Sequence, residues 1–377
     1  MSPRAELRQA PRRARRIVVK IGSGFLTDEG QVRSAAFGQV ARQIARLVAD
    51  GREVVLVSSG AIAVGSRQLG WSHPGHSIPE KQAAAAVGQS ALMWEYEQAF
   101  KKHGIPVGQV LLTGQDISDR SRYLNARNTL LALLEFGVLP VINENDTVAV
   151  DEIKVGDNDN LAALVAHLID ADLLVLLTDV DGLYTGNPRQ DPSARRLETV
   201  EAITDQIQRM VYDASARVSV GGMATKLQAG QKASASGIPM VIASGREAGL
   251  LPRLLKGEPI GTYFQPRDDR LAARKRWIAY AVPPQGRLAV DAGAKKALTE
   301  RGKSLLPSGV VAVDGQFRAG EVVALTLGDE PEFARGLVSY DADEVRLILG
   351  AKTADIARRL GYEGVDEVVH RDNLVIL

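Results

Sequence analysis

The chain of 377 residues contains no cysteine, which excludes disulfide scaffolds, thiolate metal sites and a cysteine nucleophile. Histidine is nearly as scarce. The five present (His73, His76, His103, His167 and His370) include no pair spaced four apart on a helix, so a histidine-based zinc site is disfavoured. No apolar run approaches the roughly 18–20 residues that span a bilayer, which argues against a membrane-embedded protein. Charge of one sign is also lacking: 46 basic residues face 45 acidic ones, without the basic excess usual in a nucleic-acid binder. What remains is ordinary globular composition, 45% hydrophobic and 24% charged, with length for two domains. Any chemistry must rest on Lys, Asp, Asn, Ser, Thr and backbone amides.

Residues 1–16 are the local exception, with Arg4, Arg8, Arg12, Arg13, Arg15 and Arg16 against Glu6. They lack the apolar core of a secretory signal and read as a solvated basic tail on a cytoplasmic protein. From Ile17 to about Ser244 one rhythm repeats: a short β-branched run, a Gly- or Asp-rich turn, then an Ala/Leu-rich helical stretch. The apolar runs are 17–21, 54–57, 107–112, 138–142, 173–177 and 239–243. Helices are expected over 35–50, 81–103, 121–136 and 160–169. Continuous apolar strands alternating with helices predict an α/β, doubly wound, mainly parallel sheet over residues 17–262. Residues 263–280 turn polar and basic and read as a linker. Residues 281–377 carry short runs (288–290, 309–313, 321–327 and 344–349) that predict a smaller β-rich barrel domain.

Small and polar residues follow four of the strands: Gly22-Ser23-Gly24, Ser58-Ser59-Gly60, Asn143 to Asp146, and Thr178-Asp179. Ligands of open α/β sheets bind at the carboxyl ends of the strands, so this edge reads as an active site. The first glycine turn fails the dinucleotide fingerprint because Thr27 stands at the third glycine, and no Walker sequence occurs. Lys20 interrupts an apolar strand, either as an edge lysine reaching water or as a cation facing an anionic site. Gly221-Gly222-Met223-Ala224-Thr225-Lys226 leads into a helix, where consecutive amides and one lysine suit an anion. Asp157-Asn158-Asp159-Asn160 exceeds what helix capping requires. Two lysines, glycine turns and paired acids without a histidine base fit phosphoryl transfer, which is mostly positioning and charge neutralisation. A carboxylate acceptor is already ionised at neutral pH and needs no base.

These stretches, together with 81–89, 125–129, 153–160 and Gly182-Leu183-Tyr184, resemble the glutamate 5-kinase family in order over nearly the whole chain. The C-terminal part is similar to that family's PUA domain. The resemblance implies an amino acid kinase fold and phosphorylation of the γ-carboxylate of L-glutamate by ATP with Mg²⁺, the first step of proline biosynthesis. It implies Lys20, Lys226 and Asp159 as catalytic, with Asp159 orienting both lysines and Asp157 a weaker candidate. Ser59, Asp146 and Asn158 would bind glutamate. Lys20, Gly22, Thr178, Asp179, Val220, Gly221, Gly222, Met223, Ala224, Thr225 and Lys226 would bind ATP. No resident metal ligand is implied, while self-association and proline as feedback inhibitor are. Gly24, Ser58 and Ser219-Val220 depart from the family's residues without removing a charged group.

Two other readings compete with this one. A PUA-like domain could bind RNA, and residues 270–306 hold nine basic residues against two acidic ones. Residues 307–377, with seven basic and thirteen acidic residues, offset that excess, so a solvated face is the preferred reading. A kinase for another small acid, such as N-acetylglutamate or aspartate, is disfavoured by the 81–89 and 125–129 stretches and the appended domain.

Overall fold

The computed structural model describes residues 10–28, 31–148, 158–186, 188, 191–215, 222–267, 275, 278–279, 283–328 and 330–377. Of residues 118, 120, 121, 124 and 212–215 it describes the backbone alone. The chain divides into two compact units, 1–268 and 269–377.

The first unit is built on strands β1 (Arg16–Ile21), β2 (Glu53–Ser58), β3 (Val107–Leu112), β4 (Leu139–Glu144), β5 (Leu173–Thr178), β6 (Thr199–Val200), β7 (Met240–Ser244) and β8 (Thr262–Phe264). They form one sheet in the order β3-β4-β2-β1-β5-β7-β8-β6. Every pairing is parallel except β7 with β8. The chain winds outward from β1 on one side and then on the other, so the switch point lies between β1 and β5. That is where doubly wound sheets open a crevice.

The helices that matter for the site are α1 (Ser34–Ala49), α2 (Ala61–Gln68), α3 (Ile78–Lys101), α4 (Arg120–Glu135), α5 (Asn158–Leu168) and α6 (Met223–Ala235). Side chains alternate along β1. Ile17, Val19 and Ile21 enter one core with α1 and α3, and Val18 enters the other with α5 and α6. Lys20 shares the parity of Val18, so its side chain leaves the sheet on the α5 side. Helix α3 starts on a capping box of Ser77 and Glu80 and buries Leu92, Met93, Tyr96 and Phe100. Burial of such side chains stabilises by about 1.5–3 kcal/mol each.

Two expectations about the ends of this unit need correction. Residues 10–16 are not a free basic tail: Ala10–Arg13 form one helical turn, Pro11 and Ala14 are buried, and Arg16 begins β1. Arg12 Nε donates to the carbonyl of Lys256 and Arg16 Nη1 to that of Ile169, each at 2.6 Å, so these two arginines reach backbone carbonyls of the first unit. The linker does not begin at 263 either. Tyr263 and Phe264 pair with Val241 and Met240 in the sheet, and both are buried. Of the linker's basic residues, Arg270, Arg274 and Arg276 lie outside the described residues.

The second unit holds a five-stranded sheet of β9 (Gly286–Val290), β10 (Val310–Gly315), β11 (Val322–Leu327), β12 (Ala334–Leu337) and β13 (Leu374–Ile376). Their order is β10-β9-β11-β12-β13 over a separate apolar core. The run at 344–349, expected among the strands, is helical instead and belongs to Ala342–Ile348. Asp341 and Glu344 form a capping box there, and Ala342, Val345 and Ile348 are buried at helical spacing. Short apolar runs do not distinguish strand from helix by alternation alone.

Candidate active site

The carboxyl edge of the sheet is laced by backbone hydrogen bonds that fix its turns. Gly22 N donates to Leu177 O at 3.1 Å, Ser59 N to Ile21 O at 3.1 Å, and Asn145 N to Leu112 O at 2.9 Å. Gly60, with φ of +114°, makes the tight left-handed exit from β2 into α2 that glycine allows without strain. Ser59 is half-buried, and Asp146 lies in the turn after β4. Thr178 is buried at the end of β5, with its hydroxyl donating to Asp179 Oδ1 at 3.0 Å.

At the centre of the edge stands a buried charge triad. Lys20 Nζ lies 2.7 Å from Asp159 Oδ1, and Lys226 Nζ donates to Asp159 Oδ2 at 3.0 Å. Their exposures are 5% for Lys20, 7% for Lys226 and 0% for Asp159. The hydroxyl proton of Thr225 has two acceptors within reach, the same Oδ2 at 2.8 Å and Gly222 O at 2.9 Å. Burial pushes the pKa of Lys20 below its ordinary value; Asp159 resists that shift and Lys226 reinforces it. Burial alone would raise the Asp159 carboxyl, but the two ammonium groups overcome it and hold the group below the usual carboxylate range. The first turn of α5, which carries Asp159, also favours a negative charge through the helix dipole.

Lys20 is therefore not an edge lysine reaching water. Its burial is tolerated because a carboxylate meets it, and the triad with both lysines protonated carries a net positive charge. A Cβ placed on Gly22 would lie 4.0 Å from Lys20 Nζ and 3.5 Å from Leu177 O, so the glycine turn runs beside the ammonium group. At Gly24 a Cβ would meet nothing within 4 Å, so this departure leaves open space rather than a clash.

Gly222 caps α6, and Met223 and Ala224 pack against the second core. Val220 and Gly221 lie outside the described residues, as do Asp157 and Ser219. A second cluster joins Asn143, Asn158, Gln89 and the backbone of Glu144. Sequence reasoning weighed Asn143 only as part of a polar turn and gave Gln89 no role. Tyr96 was also missed: its hydroxyl lies 2.9 Å from Ser58 Oγ, on the residue next to Ser59. An aromatic at helical spacing reads as core, and nothing in the sequence distinguishes one whose hydroxyl meets a strand end.

Residues 15–244 match the amino acid kinase family, and residues 286–360 match the PUA domain. The glutamate 5-kinase of Moorella thermoacetica is 51% identical over 373 residues, covering 99% of each chain. That of Geobacter sulfurreducens is 50% identical over 97% of this chain and 98% of its own. That of Myxococcus xanthus is 51% identical over 98% of each. Among solved structures, UMP kinase from Bacillus anthracis superposes with a TM-score of 0.47 at 17% identity, over 68% of this chain and 97% of that one. With relatives half identical from end to end, this chain belongs to the amino acid kinase family and, within it, to the glutamate 5-kinases.

Proposed function

We propose that the protein is a cytoplasmic enzyme that transfers the γ-phosphoryl group of MgATP to the γ-carboxylate of L-glutamate, giving L-glutamyl 5-phosphate for proline biosynthesis. The observation that carries the reading is Asp159 held between two buried lysines at the carboxyl edge of the sheet. In the reaction a carboxylate oxygen of glutamate forms a bond to the γ-phosphorus. The bond from that phosphorus to the bridging oxygen of ADP breaks, and no proton need be removed from the acceptor. The protein's task is to hold two anionic reactants together and neutralise the charge between them. Lys20 and Lys226 supply that positive charge, and Asp159 holds both ammonium groups in place. Gly22, Thr178, Asp179 and residues 220–226 serve the nucleotide, while Ser59, Asp146 and Asn158 serve glutamate. Mg²⁺ bound with the nucleotide would supply further neutralisation of phosphate charge. Self-association and inhibition by proline belong to the same proposal and rest on the family resemblance alone.

The direct test traps the acyl phosphate with hydroxylamine as the hydroxamate. Wild type is expected to form hydroxamate only with glutamate and MgATP, with N-acetylglutamate and aspartate poor competitors. Lys226→Ala is expected to lower kcat by about 10²–10³, the usual cost of removing one charge-stabilising donor. Preference for another acceptor, or an unaltered mutant, would overturn the assignment.

Asp146 gives the reaction a pH dependence of known sign. Burial raises its carboxyl pKa to about 6. The ionised form is the one that can hold the ammonium group of glutamate, so protonation below that pH removes the attraction. We expect kcat/KM for glutamate to be flat above about pH 7 and to fall as pH drops through about 6, approaching tenfold per unit. Asp146→Asn should have a raised glutamate KM and lose this limb. A profile from pH 5 to 8 that keeps the limb in the variant would remove Asp146 from the role.

A further inference from the structure

Gln89, half-buried in the middle of α3, touches none of the charged residues of the triad in the contacts described above. Its Oε1 accepts a hydrogen bond from Asn143 Nδ2 at 2.7 Å. Asn143, 2% exposed at the end of β4, accepts at Oδ1 from Asn158 Nδ2 at 3.0 Å and from the Glu144 backbone N at 2.9 Å. The Glu144 N–H is shared with Asn158 Oδ1 at 3.3 Å. Asn158 opens α5 directly before Asp159.

A primary amide donates at one end and accepts at the other, so a row of amides has a direction. The oxygen of Gln89 can only accept, which obliges Asn143 to present its nitrogen there and its oxygen to the far side. That oxygen also can only accept, which obliges Asn158 to present its own nitrogen in turn. One N–H of Asn158 then remains, a group suited to an anionic ligand such as a carboxylate. Without the Gln89 acceptor, Asn143 keeps this sense, because its oxygen still takes the Glu144 N–H, but its own N–H is left unpaired in a buried setting, where that is costly. Asn143 must then shift toward another acceptor, and Asn158, hydrogen-bonded to its oxygen, shifts with it.

We infer that Gln89 is a positioning residue for glutamate: acting through Asn143, it holds the Asn158 amide where it meets the substrate. This rests on the reading of Asn158 as a glutamate ligand. The relay joins α3, β4 and α5, so it also ties the strand end that leads to Asp146 to the helix that carries Asp159.

The test is a mutant cycle on the full-length enzyme in the hydroxamate assay. Gln89→Met keeps the length of the side chain and removes the acceptor. It is expected to raise the KM for glutamate about tenfold while kcat and the KM for ATP change by less than about twofold. Gln89→Leu, of different shape but equally without an acceptor, should behave alike. In an Asn158→Ala background, Gln89→Met is expected to add no further rise, because the residue it acts through is gone. An unchanged glutamate KM, or the same multiplication in both backgrounds, would overturn the inference and leave Gln89 a packing residue. Wild type without glutamate-dependent product would overturn the proposed function and the inference together, whereas an active wild type with an indifferent Gln89 sinks the inference alone.

Discussion

Asp159→Ala is expected to abolish measurable hydroxamate formation and to destabilise the first unit by about 3–5 kcal/mol, the range for removing one partner from a buried ion network. Two lysines at 5% and 7% exposure would lose the only carboxylate that the described contacts place between them. Lys226 would still lower the pKa of Lys20, and Lys20 would lose the charge that now resists the effect of burial. A lysine whose pKa is depressed in the folded state is released from its proton more readily there than in the unfolded chain. The variant's stability should therefore rise with pH toward the ordinary lysine value. Asp159→Asn keeps the shape of the side chain and separates folding from chemistry: it should remain folded near neutral pH while kcat drops by about 10³ or more. Urea unfolding at pH 7 and 9 beside the hydroxamate assay decides the matter. An active Asp159→Asn enzyme would show that the lysines hold their charge and aim without the carboxylate.

Gly88→Ala is expected to cost about 3 kcal/mol although it adds a single methyl group. A Cβ there would lie 1.9 Å from the carbonyl oxygen of Ala61 and 2.5 Å from the nitrogen of Gly65. A Cβ on Gly65 would lie 1.7 Å from Ala84 O in the reciprocal contact. Helices α2 and α3 thus meet backbone to backbone, and main chain cannot give way as a side chain can. Because α2 begins directly after Ser59-Gly60, forcing the helices apart should also displace Ser59 and raise the glutamate KM. Gly38→Ala in α1 is the control: its Cβ would meet only Arg42 Nη1 at 3.5 Å, an ordinary contact. There the helix gain of alanine over glycine, roughly 0.5–1 kcal/mol, should appear as stabilisation. Equal effects at the two positions would show that α2 and α3 are free to separate.

Much of this molecule is legible along the chain. Six strands of the large sheet follow from apolar runs within a residue or two of their observed bounds. For the central strands the reason is that coverage on both faces demands nearly continuous apolar residues, whereas β3 lies at the sheet edge and exposes Gln109. The carboxyl-edge turns follow as well, since four polar turns after four strands mark a ligand edge whatever the ligand. The helix at Ala342–Ile348 was not legible as one, because a run of seven residues carries too few turns for its period to show. Helical order at residues 10–13 was equally hidden: an Arg-rich stretch has the composition of a tail, and only the backbone carbonyls it reaches distinguish it.

Composition, periodicity and motif order by themselves determined the two-domain plan, the polar edge to which the proposed site is assigned and the family, all of which depend on local pattern or on residues in order. The family resemblance implied that Asp159 orients Lys20 and Lys226, and tertiary structure supplied the contacts and their burial; it alone decided that Gln89 reaches Asn158 through Asn143 and that Gly65 and Gly88 let two helices touch. Each of these is a contact between residues distant in the chain. A sequence carries the hydrophobic period that forms β1, α5 and α6, but the distance between their charges is set only when burial of the apolar faces brings those elements together.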